Sequence, residues 1–174
     1  MKNILVPTDF TLQSLSIIHE IVNSEEEKVN IHLFHMVLPS NDLTELFFQR
    51  KSHLYGQVPD AFTEALQVLK NKYLKQIGSI TIQFYYGNRV AVVNDIVESN
   101  NIDSIYLLVN HHYRLPLASS VDMVSLAKKC KLPVEMVVSK TKSLISQSGS
   151  ISSLLVNQQG DIYLGTKAPE KAVN

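Results

Sequence analysis

The feature that most constrains this chain is its opening, where Ile4, Leu5 and Val6 run without a polar alternate and stop on Pro7, Thr8 and Asp9. An aliphatic run with no wet face suits a strand buried on both sides, as in a parallel sheet covered by helices. Pro7 has no N–H to give a ladder and marks the strand's end. Asp9 then stands at the carboxyl end of that strand, where open α/β sheets bind ligands. Two readings of Asp9 follow. It contacts a ligand, or it caps the helix that begins after it by accepting backbone N–H bonds.

Strand and helix signals alternate along the rest of the chain. Leu12, Leu15, Ile18, Ile21 and Val22 recur at helical spacing, and Glu25, Glu26 and Glu27 close that helix in a charged run. Val29 to Leu38 reads as a second strand, and Asn41 to Gly56 as a short helix or lid. Asp60 is expected to cap a helix carrying Phe62, Ala65, Leu66 and Leu69, with Gly78 at its C′ position. Strands at Ile80–Tyr86, Ser104–Val109 and Val134–Val138 alternate with helices at Val90 to the Asn100-Asn101 pair and at Val121–Lys131. Such alternation predicts a doubly wound, open parallel sheet.

Length and charge narrow the classes. The 174 residues suit one core and not two. Residues 1–140 read as that α/β domain and 141–174 as a Ser- and Lys-rich linker followed by a hairpin tail, Ile151–Val156 with Asp161–Leu164. Sixteen basic and sixteen acidic residues cancel without a basic block, which gives nucleic acid no electrostatic footprint. No apolar run approaches a membrane span or a signal h-region, so a cytoplasmic protein is expected. The lone Cys130 has no partner for a disulfide and reads as a packed thiol.

The opening Lys2 to Asp9, the segment Ile31-His32-Leu33-Phe34-His35-Met36-Val37-Leu38-Pro39, and Leu132-Pro133-Val134 together resemble the universal stress protein family. Those anchors are similar to its Pro-Thr-Asp turn, its His-Val-Val strand before a proline, and the approach to its last strand. The resemblance spans roughly Met1 to Val138. It implies a Rossmann-like sheet of five strands in the order 3-2-1-4-5, with Asp9 brought beside the loop that starts at Asn110. It also implies adenine-site positions at Asp9 and at the Val37 backbone.

The same resemblance exposes a departure. Nucleotide-binding members carry Gly-x2-Gly-x9-Gly-Ser/Thr after the fourth strand, where glycines let backbone N–H groups approach phosphates. Here no glycine occurs between Asn88 and Ser148. In its place stands Asn110-His111-His112-Tyr113-Arg114-Leu115-Pro116-Leu117-Ala118-Ser119-Ser120. Ser119 and Ser120 are read as N-caps of the final helix more readily than as anion ligands. Asp122, in the first turn of that helix, would satisfy the dipole and repel phosphate. His111, His112 and Arg114 are read as a solvated loop, and Leu115 with Leu117 as apolar packing that closes it.

Metal and catalytic readings find little support. His111 and His112 are adjacent and lack the i, i+4 spacing of zinc enzymes; His32 and His35, three apart on a strand, face opposite sides. The resemblance, through a histidine common in that family's second strand, implies that His35 is packed and hydrogen-bonded. Gly160 to Lys167 imitates a phosphate-binding loop with Thr and Lys in the wrong order. No nucleophile, base and oxyanion site assembles from spacing, and no catalytic residue is expected.

The expected function is a dimeric binding or regulatory module that holds no cofactor, with its subunits joined through Val134–Val138 and the tail hairpin. The alternative is a nucleotide-binding switch or weak ATPase, with an adenine nucleotide held by Asp9, Val37, Asn110, Arg114, Ser119 and Ser120. A third reading is a structural dimer whose crevice Tyr113, Leu115 and Leu117 fill.

Overall fold

The computed structural model describes residues 1–40 and 51–139. In chain order the elements are β1 (Lys2–Pro7), a 3-10 turn (Ser14–Ser16), α1 (Ile17–Ser24), β2 (Val29–Val37), α2 (Lys51–Tyr55), α3 (Asp60–Lys72), β3 (Ile77–Tyr86), α4 (Val90–Ser99), β4 (Ser104–Leu108), α5 (Met123–Ala127) and β5 (Val134–Val137). The five strands form one parallel sheet in the order β3-β2-β1-β4-β5, the order the family resemblance implies.

The unpatterned opening run is explained by the two faces of β1. Ile4 and Val6 enter one apolar cluster, with Leu15, Ile18 and Ile21 of the first helical segment and Phe62, Ala65 and Leu69 of α3. Leu5 points to the other, with Val93, Ile96 and Val97 of α4 and Met123 and Ala127 of α5. Each such buried side chain stabilises the fold by ~1.5–3 kcal/mol. The central strand is therefore apolar throughout because helices cover both of its faces.

Several boundaries differ from expectation. The first helix opens with a 3-10 turn, so Leu12 precedes it, and Glu25 is already its C-cap. Asp60 is the first helical residue of α3, while Pro59 occupies the cap position without a side-chain bond. Gly78 does not terminate α3; it lies in β3, where an added Cβ would sit 2.6 Å from Asn30 Oδ1, so any larger residue would have to displace the Asn30 side chain of the neighbouring strand. The α4 terminus does follow its signal. Asn101 adopts φ 50°, and the bonds Asn101 N–H to Glu98 O and Ile102 N–H to Val97 O close a Schellman motif. The final helix is only Met123–Ala127. The lid segment 41–50 and the tail hairpin lie outside the described residues. Among the described residues, no helix is long and apolar enough to cross a membrane.

Candidate functional site

The site forms where β1 and β4 end side by side, the point at which the strand order reverses. After Pro7 the backbone turns sharply, and Phe10 takes φ 57°, a left-handed conformation uncommon for a bulky residue. Packing holds it there: Phe10 is buried, with its ring 4.9 Å from His35 and 5.5 Å from both Phe62 and Phe84. The turn fixes Asp9 at the carboxyl end of the sheet.

Asp9 faces inward and its carboxylate is fully taken up. Oδ1 accepts from Thr11 N–H at 3.1 Å and from Thr11 Oγ1 at 2.7 Å. Oδ2 accepts from His111 Nε2 at 2.8 Å and from the Arg114 backbone N–H at 3.0 Å. Burial, the largest influence, would raise this carboxyl, but the bonds from His111, Thr11 and Arg114 together hold it at about 2. Asp9 is thus ionised, and the proton on the shared edge belongs to His111 Nε2. Asp9 does not cap the helix: the cap positions of the 3-10 turn and of α1, Gln13 and Ser16, make no side-chain capping bond, and Thr11 Oγ1 accepts from Ser14 N–H at 3.2 Å just ahead of them.

A second chain of bonds runs beneath the first. The Thr8 carbonyl accepts from His35 Nδ1 at 2.7 Å and from the Tyr113 hydroxyl at 2.5 Å. Because that carbonyl only accepts, His35 carries its proton on Nδ1, and its Nε2 accepts from Ser120 Oγ at 2.9 Å. Ser120 Oγ in turn accepts from Leu117 N–H at 2.9 Å. Burial lowers the His35 imidazole against the opposing influence of Thr8 and Asp9, which fits its neutral, relaying role. Burial likewise pushes the Tyr113 phenol up. His35 is packed and hydrogen-bonded, as the resemblance implies.

The sequence-derived candidates occupy different places. Asp9, Ser120 and Val37 meet at the crevice, where residues 119–121 run antiparallel to the end of β2: Leu38 N–H bonds Ser119 O, Val121 N–H bonds Met36 O, and Val37 bridges Ser120. The Val37 carbonyl is taken by Gly87 N–H. Arg114 contributes its backbone to Asp9, while the residue is exposed. Asn110 faces away and exchanges two bonds with the Ser139 backbone, at 3.0 and 3.2 Å. Neither serine caps α5. Asp122 does, accepting from Ser125 N–H at 3.1 Å, so it is the cap and not a first-turn residue.

Two expectations about the loop are corrected. His111 is not solvated: its side chain is 7% exposed and bonded to Asp9, because the turn at Asn110 points it back into the crevice. Nor is the loop closed by leucines. Leu115 is 54% exposed, Leu117 only partly packs on the core, and polar bonds from His111, Tyr113, Arg114 and Ser120 hold the segment. The sequence did carry a signal for this. The strand order brings a carboxylate and a histidine-bearing loop together, and an ion pair across that contact was the available deduction.

A cavity of about 30 Å3 lies under the loop, lined by Val6, Ser14, Ile17, Tyr106, His111 and Tyr113 among others. That is room for a water or two. His111 Nδ1 is buried and finds no hydrogen-bond partner among the described residues. No group of three or more His, Cys, Asp or Glu that could hold a metal ion occurs among those residues.

No protein-family model matches the chain. No curated protein matches it either. Among solved structures it is similar to the hypothetical protein MJ0577, with 18% identity and a TM-score of 0.50 over 80% of this chain and 96% of that one. It is also similar to the universal stress protein UspA from Lactobacillus plantarum, with 17% identity and a TM-score of 0.47 over 78% and 97%. A universal stress protein family protein from Arabidopsis thaliana, solved with AMP bound, has 10% identity and a TM-score of 0.46 over 82% and 95%. At these identities the likeness is one of fold.

Proposed function

We propose that the chain is a universal stress protein-like module that acts by binding as a dimer, without catalysis and without ATP held in the manner of nucleotide-binding members. The observation that carries this reading is the Asp9 carboxylate, both of whose oxygens are occupied by residues 11, 111 and 114. A ligand reaching for Asp9 meets the chain's own side chains first. The glycine-free loop adds to this, since Tyr113 and His111 fill the crevice that glycines would leave open. Calorimetric titration with ATP and magnesium tests the reading. No saturable heat is expected, and low-micromolar binding that D9A abolishes would overturn it.

The dimer contact proposed is β5. It is an edge of the sheet, with Met136 55% and the following Val138 57% exposed, and Glu135 is its charged side chain against unwanted pairing. Two copies related by a two-fold axis would pair these edges antiparallel. Sedimentation equilibrium should find a dimer; a chain that stays monomeric at tens of micromolar, where a ~1 μM dissociation constant gives mostly dimer, excludes it.

A further inference from the structure

The face of the sheet that α4 and α5 cover is covered unevenly. α5 starts beside β2, where Val121 N–H bonds Met36 O, and the chain after it reaches Pro133, whose carbonyl accepts from Ile105 N–H at the amino end of β5. The segment therefore crosses the sheet obliquely, and its helix has only the span Met123–Ala127. Leu107 and, in part, Val134 share its apolar cluster. Beyond them the cover ends. Met136 lies opposite Leu107 in the parallel register and so stands on the same face. Val109 N–H bonds Val137 O, which carries the ladder one step past β4 and brings Val109 beside Val138. Met136, Val138 and Val109 are 55%, 57% and 53% exposed, an apolar corner at the carboxyl end of β4 and β5.

Pairing of β5 with a second copy would not hide this corner. Edge pairing engages backbone groups in the plane of the sheet, whereas these side chains stand out of that plane. The chain itself supplies a cover. Ser139 follows Val138 directly, and the Asn110 side chain holds its backbone by bonds of 3.0 and 3.2 Å, so residues 140–174 depart from a fixed point at the corner. Among them, Ile151-Ser152-Ser153-Leu154-Leu155-Val156 carries no charge and is mostly large aliphatic side chains. Such a run is a poor match for a solvated tail, whose composition is ordinarily low in these residues. Residues 140–150, with Ser, Lys and Gly149, form the tether. A flexible tether of that length holds its segment at about millimolar effective concentration near the exit point.

We propose that the segment Ile151–Val156 docks on the corner formed by Val109, Met136 and Val138 of its own subunit, with Leu154 and Leu155 as its anchors. The docked segment takes the place on this face that a longer final helix would fill. The inference is independent of the closed crevice and of the β5 contact, because the face is open whether or not the edge is paired.

The experiment uses the full chain labelled with carbon-13 at its methionine methyls and a soluble gadolinium chelate as the probe of exposure. The chain carries its own references: Met36 and Met123 are buried, and Met1 is exposed. Met136 should be protected from the chelate, in the company of Met36 and Met123. In the L154S/L155S variant that protection should be lost and Met136 should broaden with Met1, while unchanged Met36 and Met123 signals verify that the core remains folded. Broadening of Met136 with Met1 in the unaltered chain overturns the proposal, and so does protection that survives L154S/L155S. Protection that fades on dilution in step with dissociation measured by sedimentation assigns the cover to a second copy, and this too overturns docking within the subunit. The β5 reading is judged separately: a monomer with Met136 protected defeats the dimer alone, whereas a dimer with Met136 open defeats only the docked segment.

Discussion

The two ends of the sheet handle polar side chains in opposite ways. At the amino end, Lys2 pairs with Glu25 at 2.6 Å, Tyr106 donates to the same carboxylate at 2.5 Å, and Asn3, Asn30 and Ser79 bond across three strands. These groups are partly exposed, and each can fall back on water. At the carboxyl end, Thr8, Asp9, His35, Tyr113 and Ser120 are withdrawn from water, and they bind the loop 110–120 to β1 and β2. The first set decorates a sheet that apolar packing already determines. The second replaces packing where the loop has little, and a buried network of this kind loses far more when one member is removed.

The most severe way to break this contrast is D9A. It leaves His111 Nε2, the Arg114 N–H and both Thr11 donors without their common acceptor, and breaking a buried pair from one side typically costs about 3–5 kcal/mol. Urea unfolding should register that loss as a lower midpoint. A change under ~1 kcal/mol would mean that the loop is held by something other than this carboxylate.

Acid should weaken the same end. Asp9 is held at about 2 against an ordinary 3.8, so its contribution is complete above 3.8 and is lost as pH falls toward and through about 2. The difference is worth about 2 kcal/mol. His35 acts in the same direction at higher pH. Its folded value lies below 6.5, so its neutral form supports the fold in full above 6.5, and stability declines as pH falls from there toward the folded value. Stability measured from pH 8 to pH 2 should fall in these two windows, and D9N should remove the lower one. A D9N curve parallel to wild type below pH 4 would show that another group titrates there.

S120A is a milder cut, because it removes a relay and no charge. Leu117 N–H and His35 Nε2 each lose their partner, for an expected cost of about 1–2 kcal/mol. Hydrogen exchange should quicken at Leu38 and Val121, whose N–H groups bond the facing backbone, while the centre of β1 stays protected. Unaltered exchange there would place the serine outside what fastens the loop.

This contrast also explains what was legible in the sequence. The sheet was readable because burial on two faces writes itself into composition: Ile4, Leu5 and Val6 admit no polar alternate, and Asn101 marks a helix end by its tolerance of positive φ. The loop was not, because its order comes from partners far along the chain. His111 meets Asp9 across 102 positions, and Ser120 meets His35 across 85. Local rules made Ser120 a cap and His111 a solvated residue. Asp9 was legible in position but not in use: its place at the end of β1 followed from the run before it, whereas its partner depended on how residues 110–120 fold back. Gly78 misled for a related reason, since it lies in β3 against a neighbouring strand's Asn30 and not at a helix terminus.

The smallest effect should come from K2A, at the opposite end of the sheet. The Lys2 ammonium is about a third exposed, with 32% of its side chain accessible, while Glu25 is at 13%. The hydrogen bond to Glu25 raises the lysine, and although burial pushes the Glu25 carboxyl up, its bonds from Lys2 and Tyr106 bring it below the ordinary value. Removing the lysine does not strand that carboxylate, because the Tyr106 hydroxyl still donates to it and water can take the vacated side. The expected cost is under ~1 kcal/mol, and it should shrink further in high salt, which screens a pair this accessible. Unfolding in low and high salt measures both. A salt-insensitive loss approaching that of D9A would show that the amino-end pair is as deeply committed as the crevice network, and the distinction between the two ends would fail.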